Sequence, residues 1–229
     1  GGRVRLTFAT GVATNRAAAV ALAEKYDDSS AATRTFALAN TQTQMRLRHL
    51  GIPANEAQLY ERLASRVLWT DTSLRAPIDM FATNTLGQSG LWSHGVSGDL
   101  PILVVRALRY EDVALVRQVL RAHEYWRLRG LNADVVVIND HPVSYLDEMH
   151  EQLEALLEQG SWAAWKHRPG GVFLIRGDAI GDGERTVLMA AARAVLNGER
   201  GELANQLGMP SAAPVWPEAF VAEDRKSVV

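Results

Sequence analysis

The stretch Leu91-Trp92-Ser93-His94-Gly95-Val96-Ser97-Gly98-Asp99-Leu100-Pro101 holds most of the residue types in this chain that could do recognition chemistry. An indole can stack on an apolar ring face. An imidazole and a carboxylate can exchange hydrogen bonds with hydroxyl groups. The glycines and hydroxyls also invite comparison with a phosphate loop, but the order is wrong. A phosphate loop follows a strand, opens a helix and ends in Gly-Lys-Ser/Thr, whereas this stretch precedes the apolar run Ile102 to Leu108. Two readings remain. Either the stretch is a tight turn feeding a strand, or it is a ligand contact with Trp92 as a stacking platform and His94 and Asp99 as hydrogen-bonding partners. The turn reading is the plainer one, because glycine turns are common and function needs a site rather than a motif.

Other candidates are weaker. His123-Glu124 begins like a helical zinc-protease motif, but Arg127 stands where the second histidine is required. Arg117, Arg121 and Glu124 fit a solvated ion-pair face. Ser, His and Asp occur without a Gly-x-Ser-x-Gly elbow. In open parallel sheets, ligands collect beyond the carboxyl ends of the strands. Those ends carry Arg109, Asn139, Asp140, His141, Arg176 and Asp178, a second candidate pocket. Asp140 and Asp178 equally suit turns and caps. No glycine fingerprint follows the first strand, which argues against a dinucleotide. The residues imply no metal and no cofactor, and they single out no catalytic residue.

The elements that would position these residues follow from patterning. Val4, Leu6 and Phe8 alternate with Arg3, Arg5 and Thr7, predicting a half-buried strand over Arg3–Phe8. That strand has no nearby partner, so the chain is expected to be a piece of a longer one, with the sheet upstream. A helical stretch follows. Thr14-Asn15 caps a run of alanines. Phe36, Ala39, Thr43, Leu47 and Leu50 form one stripe of a helix stopped by Gly51, and Leu59, Leu63 and Val67 form another after Pro53. Residues 71–97 read as an ordered loop long enough to hold a short helix or serve a site. From Pro101 the pattern changes to unalternated apolar strands, Ile102–Leu108, Asp134–Asn139 and Val172–Ile175. They are separated by helices reaching Leu128, over Tyr145–Gln159 and over Glu184–Leu196. This predicts an α/β class with a small three-stranded parallel βαβαβα unit buried on both faces. The expected organisation is 1–12 as the end of an upstream β-sandwich, 13–100 as helical linker and loop, 101–205 as the α/β unit and 206–229 as a linker.

Composition narrows the partners. The 229 residues include 47% apolar and 22% charged, ordinary for a globular core. The 24 basic and 26 acidic residues give a net charge of −2, which leaves no positive surplus for nucleic acid. The absence of cysteine excludes disulfides and thiol catalysis. The longest apolar runs are too short to span a bilayer.

Several stretches together resemble cyclic β-1,2-glucan synthases: Arg3 to Phe8, LANTQTQMRLRHLG (38–51), Asn55 to Leu63, LWSHGVSGDLPILVVR (91–106), VRQVLRAHEYWRLRGL (116–131), Asp134 to Asn139 with Ser144-Tyr145, and Ala191 to Leu203. They run in order along most of the chain. The resemblance implies a large inner-membrane parent. Such a parent joins a glucosyltransferase using UDP-glucose to a region similar to cellobiose and chitobiose phosphorylases, and it makes, cyclises and trims β-1,2-glucan. It implies that this chain is an aqueous, cytoplasmic segment of the phosphorylase-like region, with the other modules of the parent as partners and without catalytic residues. Three roles fit: a scaffold between modules, a surface that guides glucan, or an independent sugar-phosphate or nucleotide site on the α/β sheet. An exposed Trp92 beside a groove favours the second; a buried Trp92 favours the first.

Overall fold

The structure, a computed structural model, describes residues 10–69, 71–142 and 147–209, together with Gly2, Val4 and Phe8. The strand expected over Arg3–Phe8, the start of the helix expected from Tyr145, and the tail lie largely outside the described residues. The chain divides into two compact units, Gly1–Gln58 and Leu59–Val229.

The first unit is helical. Helix α1 (Arg16–Tyr26) opens where Asn15 Oδ1 accepts the Ala18 N–H at 2.9 Å. Helix α2 (Ser29–His49) opens on Asp28, whose carboxylate accepts the Ser30 N–H at 2.8 Å. Each cap satisfies one of the N–H groups that a helix start leaves without an intrahelical partner. Gly51, at φ 60°, ends the second helix as its position predicted. Along the stripe of α2, Phe36 is 77% exposed and Ala39 is exposed, while Thr43, Leu47 and Leu50 are half-buried. Helix α3 (Ala54–Leu68) runs across the unit boundary, and its stripe residues Leu63 and Val67 are fully buried.

The second unit is α/β. Residues expected to form an ordered loop hold a 3-10 turn (Thr72–Leu74), helix α4 (Ile78–Thr83) and a 3-10 helix (Gln88–His94). Then follow β1 (Ile102–Ala107), α5 (Val113–Leu128), β2 (Asp134–Asn139), α6 (Glu148–Glu158), β3 (Val172–Arg176), α7 (Asp182–Ala191), β4 (Ala194–Asn197) and α8 (Leu203–Leu207). The three expected strands are present and parallel, with Ile102 opposite Asp134 and Val135 opposite Val172. A fourth strand extends the predicted three. The expected helix Glu184–Leu196 stops at Ala191, and Ala194–Asn197 pairs with β1. The order is β3-β2-β1-β4.

Unalternated sequence produces burial on both faces. One face sets Ile102, Val104, Val136, Ile138, Phe173 and Ile175 in a core with Leu91, Val187 and Leu188. On the other side α5 packs on β1 and β2, and α6 on β3. Each fully buried aliphatic chain contributes about 1.5–3 kcal/mol. Leu91 belongs to the 3-10 helix, so the chemistry-bearing segment is anchored by its own apolar residue in the main core.

Candidate functional site

The 3-10 helix Gln88–His94 ends at Gly95, whose backbone is left-handed at φ 75°. The Gly95 N–H donates to the Trp92 carbonyl at 2.9 Å, and the Val96 N–H to that of Leu91 at 3.3 Å. Gly98 is also left-handed, at φ 79°. Both glycines therefore sit where a side chain is strained. A Cβ on Gly98 would stand 3.0 Å from Gln88 Cγ and from Leu91 Cδ1. Gly98→Ala is expected to destabilise the unit by about 1–3 kcal/mol, read as a lower urea midpoint.

This turn builds an open hollow lined by Gln88, Trp92, Gly95, Val96, Ser97 and Asp99. Trp92 is 62% exposed, yet its Nε1–H is tied to the Ser97 carbonyl at 3.3 Å. Gln88 Nε2 donates to the same carbonyl at 2.7 Å and to Asp99 Oδ1 at 3.0 Å. The Asp99 N–H donates to Ser97 Oγ at 3.2 Å. The Asp99 carboxylate thus meets the Gln88 side-chain amide at the rim of the hollow. An amphipathic ring held at its polar edge, with polar side chains beside it, matches the composition of sites that receive ligands with mixed faces.

His94 faces elsewhere. It lines a second hollow with Ser93, His150, Glu154, Arg176 and Glu184. Ser93 Oγ donates to Glu184 Oε1 at 2.8 Å, and His94 Nε2 stands 3.0 Å from Glu184 Oε2. The Gly181 N–H reaches that same oxygen at 3.2 Å. The Ser93 hydroxyl, the Gly181 N–H and His94 hold the Glu184 carboxyl below its ordinary value. Serine and histidine both bond the glutamate rather than each other, so this is no nucleophile relay. The three residues first singled out therefore divide between two hollows, Trp92 and Asp99 in one and His94 in the other. Gln88, Glu184, His150 and Glu154 were not foreseen.

The strand-end residues are drawn into internal pairs. With order β3-β2-β1-β4 the connection changes direction between β1 and β4, where open α/β sheets usually bind ligands. The chain's own polar groups fill that crevice. Asp112 Oδ2 accepts the Leu108 and Arg109 N–H groups at 2.8 and 2.9 Å. Arg109 Nη2 donates to the Gly198 carbonyl at 3.1 Å. A Cβ on Gly198 would overlap the Asp112 carboxylate, so glycine is required there. Buried Gln206 donates to the Asn197 and Gly201 carbonyls at 3.0 and 2.7 Å and accepts the Asn197 N–H at 3.0 Å. Further along the edge, Asn139 Oδ1 accepts the His141 N–H at 3.1 Å, and His141 Nδ1 lies 2.8 Å from the Leu108 carbonyl. Asp140 is clasped by Arg106 and Arg185. Arg176 reaches Asp178 at 3.1 Å and Asp147 at 2.7 Å. Among the described residues no group of three or more His, Asp or Glu converges as metal ligands, and no helix is long and apolar enough to cross a membrane.

The cyclic beta-(1,2)-glucan synthase NdvB of Rhizobium meliloti is 30% identical to this chain over 208 residues, covering 90% of the chain. This chain is similar to a segment of a cyclic β-(1,2)-glucan synthase. It spans 7% of the length of that relative. No family model matches the chain. The aligned 90% leaves out few residues of this chain, so similarity to the synthase extends through both compact units.

Proposed function

We propose that this chain serves a cyclic β-1,2-glucan synthase as a non-catalytic connecting module that also touches the glucan. On this reading the parent makes and trims glucan from UDP-glucose, and the segment lies in an aqueous compartment on the cytoplasmic side among the parent's other modules. One observation carries the glucan contact: Trp92 is 62% exposed over an open hollow with its indole N–H anchored on Ser97. Pyranose rings present apolar C–H faces and hydroxyl edges. An indole meets the first, and Gln88 and Asp99 meet the second. The strand-end residues support the scaffold half of the proposal, since their charges are spent on one another.

Trp92→Ala is expected to weaken β-1,2-glucan binding about tenfold, a loss of about 1.4 kcal/mol, with the melting temperature unchanged. Calorimetric titration of the full chain, beside a thermal melt, measures both. Wild-type affinity in Trp92→Ala, with the fold intact, would remove the contact and leave only the connecting role.

A further inference from the structure

We propose that the hollow lined by Ser93, His94, His150 and Glu184 is a second sugar subsite, so that one glucan chain crosses the 3-10 helix from the Trp92 side to the His94 side. This rests on the glucan-contact reading above and adds where the chain goes next. Trp92, Ser93 and His94 are consecutive in one short helix, and their side chains open onto two different hollows. A 3-10 helix rises about 2 Å per residue, so the hollows are closer together than the span of a few sugar units.

The lining chemistry selects the ligand class. Arg176 is matched by Asp147 and Asp178, and Glu154 is paired with Lys166. Glu184 adds a further negative charge, which leaves no positive surplus to hold a phosphate. Nor do three metal ligands converge among the described residues. What remains is a set of mixed donors and acceptors suited to a neutral polyol. The Glu184 carboxylate has about four lone-pair sites, and Ser93, His94 and Gly181 take three of them. The Ser93 oxygen keeps its lone pairs after donating to Glu184. His150 lines the same hollow, and its Nε2 stands 3.7 Å from Glu154. Vicinal hydroxyl groups, each both donor and acceptor, fit this set.

The test is a length series of β-1,2-linked gluco-oligosaccharides, from the disaccharide upward, titrated into the full 229-residue chain. His150→Ala and Ser93→Ala are expected to leave the disaccharide affinity within twofold and to weaken the longer oligomers five- to tenfold. Trp92→Ala weakens all lengths. Ser93 is exposed, so its variant keeps the test open should His150→Ala lower the melting temperature. If long oligomers bind both variants as tightly as the wild type, the second subsite is overturned while the Trp92 contact stands. Absence of binding at every length overturns both.

Discussion

Asp140→Ala is expected to lower the stability of the α/β unit by about 2–3 kcal/mol, the cost of removing the charged acceptor of two half-buried guanidinium groups. Asp140 follows β2 directly, and its side chain is 9% exposed. Oδ2 receives Arg106 Nε at 2.6 Å and Arg185 Nη1 at 3.1 Å, and Oδ1 receives Arg185 Nη2 at 2.8 Å. The carboxylate therefore ties β1, β2 and α7 together at one point. Gly177 makes room for it, since a Cβ there would overlap Asp140 Oδ1 and stand 2.8 Å from the Asn139 carbonyl. Burial pushes the Asp140 carboxyl up, but the hydrogen bonds and charges of Arg185 and Arg106 outweigh it and hold the group below its ordinary value. A depressed carboxyl stabilises the fold above its unfolded pKa, 3.8 for this group, and that contribution fades as pH falls through and below this value. The gap between wild type and Asp140→Ala should accordingly be full at pH 7 and shrink in acid. Urea unfolding at pH 7 and at about pH 3 measures it. A loss under about 1 kcal/mol, accompanied by a change in ligand binding, would show that the strand ends serve a ligand and that the two arginines are held ready for it.

The strands of this unit were legible because burial on both faces leaves an unalternated apolar run, and Ile102–Ala107, Asp134–Asn139 and Val172–Arg176 carry one each. Strand β4 was not legible. Ala191-Ala192-Arg193-Ala194 has the composition of a helix end, and four residues offer too little period to decide. Pairing with Leu103 to Arg106 decides it, a tertiary effect that local propensity does not contain. Within 71–97 a short helix was allowed for, but the bounds were not legible, each helix being briefer than the window in which a helical period shows. On the site, the conformations of Gly95 and Gly98 could be read from the turn chemistry alone. The partition of Trp92 and His94 could not, because Glu184 lies 90 positions from His94 and only the packing of α7 on the 3-10 helix brings them together. The Gly-Asp-Gly-Glu run at 181–184 did carry a signal for a helix start with an acid in its first turn. It carried none for what that acid would face.

Between pH 6.5 and 4 the chain is expected to lose about 3 kcal/mol of stability through His123 alone, and His123→Gln is expected to flatten that slope. His123 is 1% exposed, and its Nε2 lies 3.0 Å from the Gly170 carbonyl and 3.1 Å from that of Ala133. Two carbonyl acceptors require an Nε2–H donor, so the neutral ring already satisfies both. Burial, reinforced by the charge of Arg127, lowers the His123 pKa from 6.5 to about 4 against the opposing pull of those carbonyls. The unfolded chain therefore takes up a proton near pH 6.5 that the folded chain refuses until about pH 4. Stability is full above 6.5 and falls by about 1.4 kcal/mol per pH unit across the window. Glutamine keeps an N–H for the Gly170 carbonyl and cannot be protonated, so it isolates the titration from the packing. Asp134, which accepts the Gly170 N–H at 2.7 Å, works in the opposite direction. Burial and the nearby charge of Asp99 raise its pKa, so its contribution is greatest in acid and is lost as pH rises through the raised value. The double variant His123→Gln with Asp134→Asn should consequently be flatter than either single variant from pH 7 to 4.5. The loss from Asp140 falls below pH 4 and stays out of this range. A wild-type slope surviving in His123→Gln would mean that the buried imidazole is not the group that titrates.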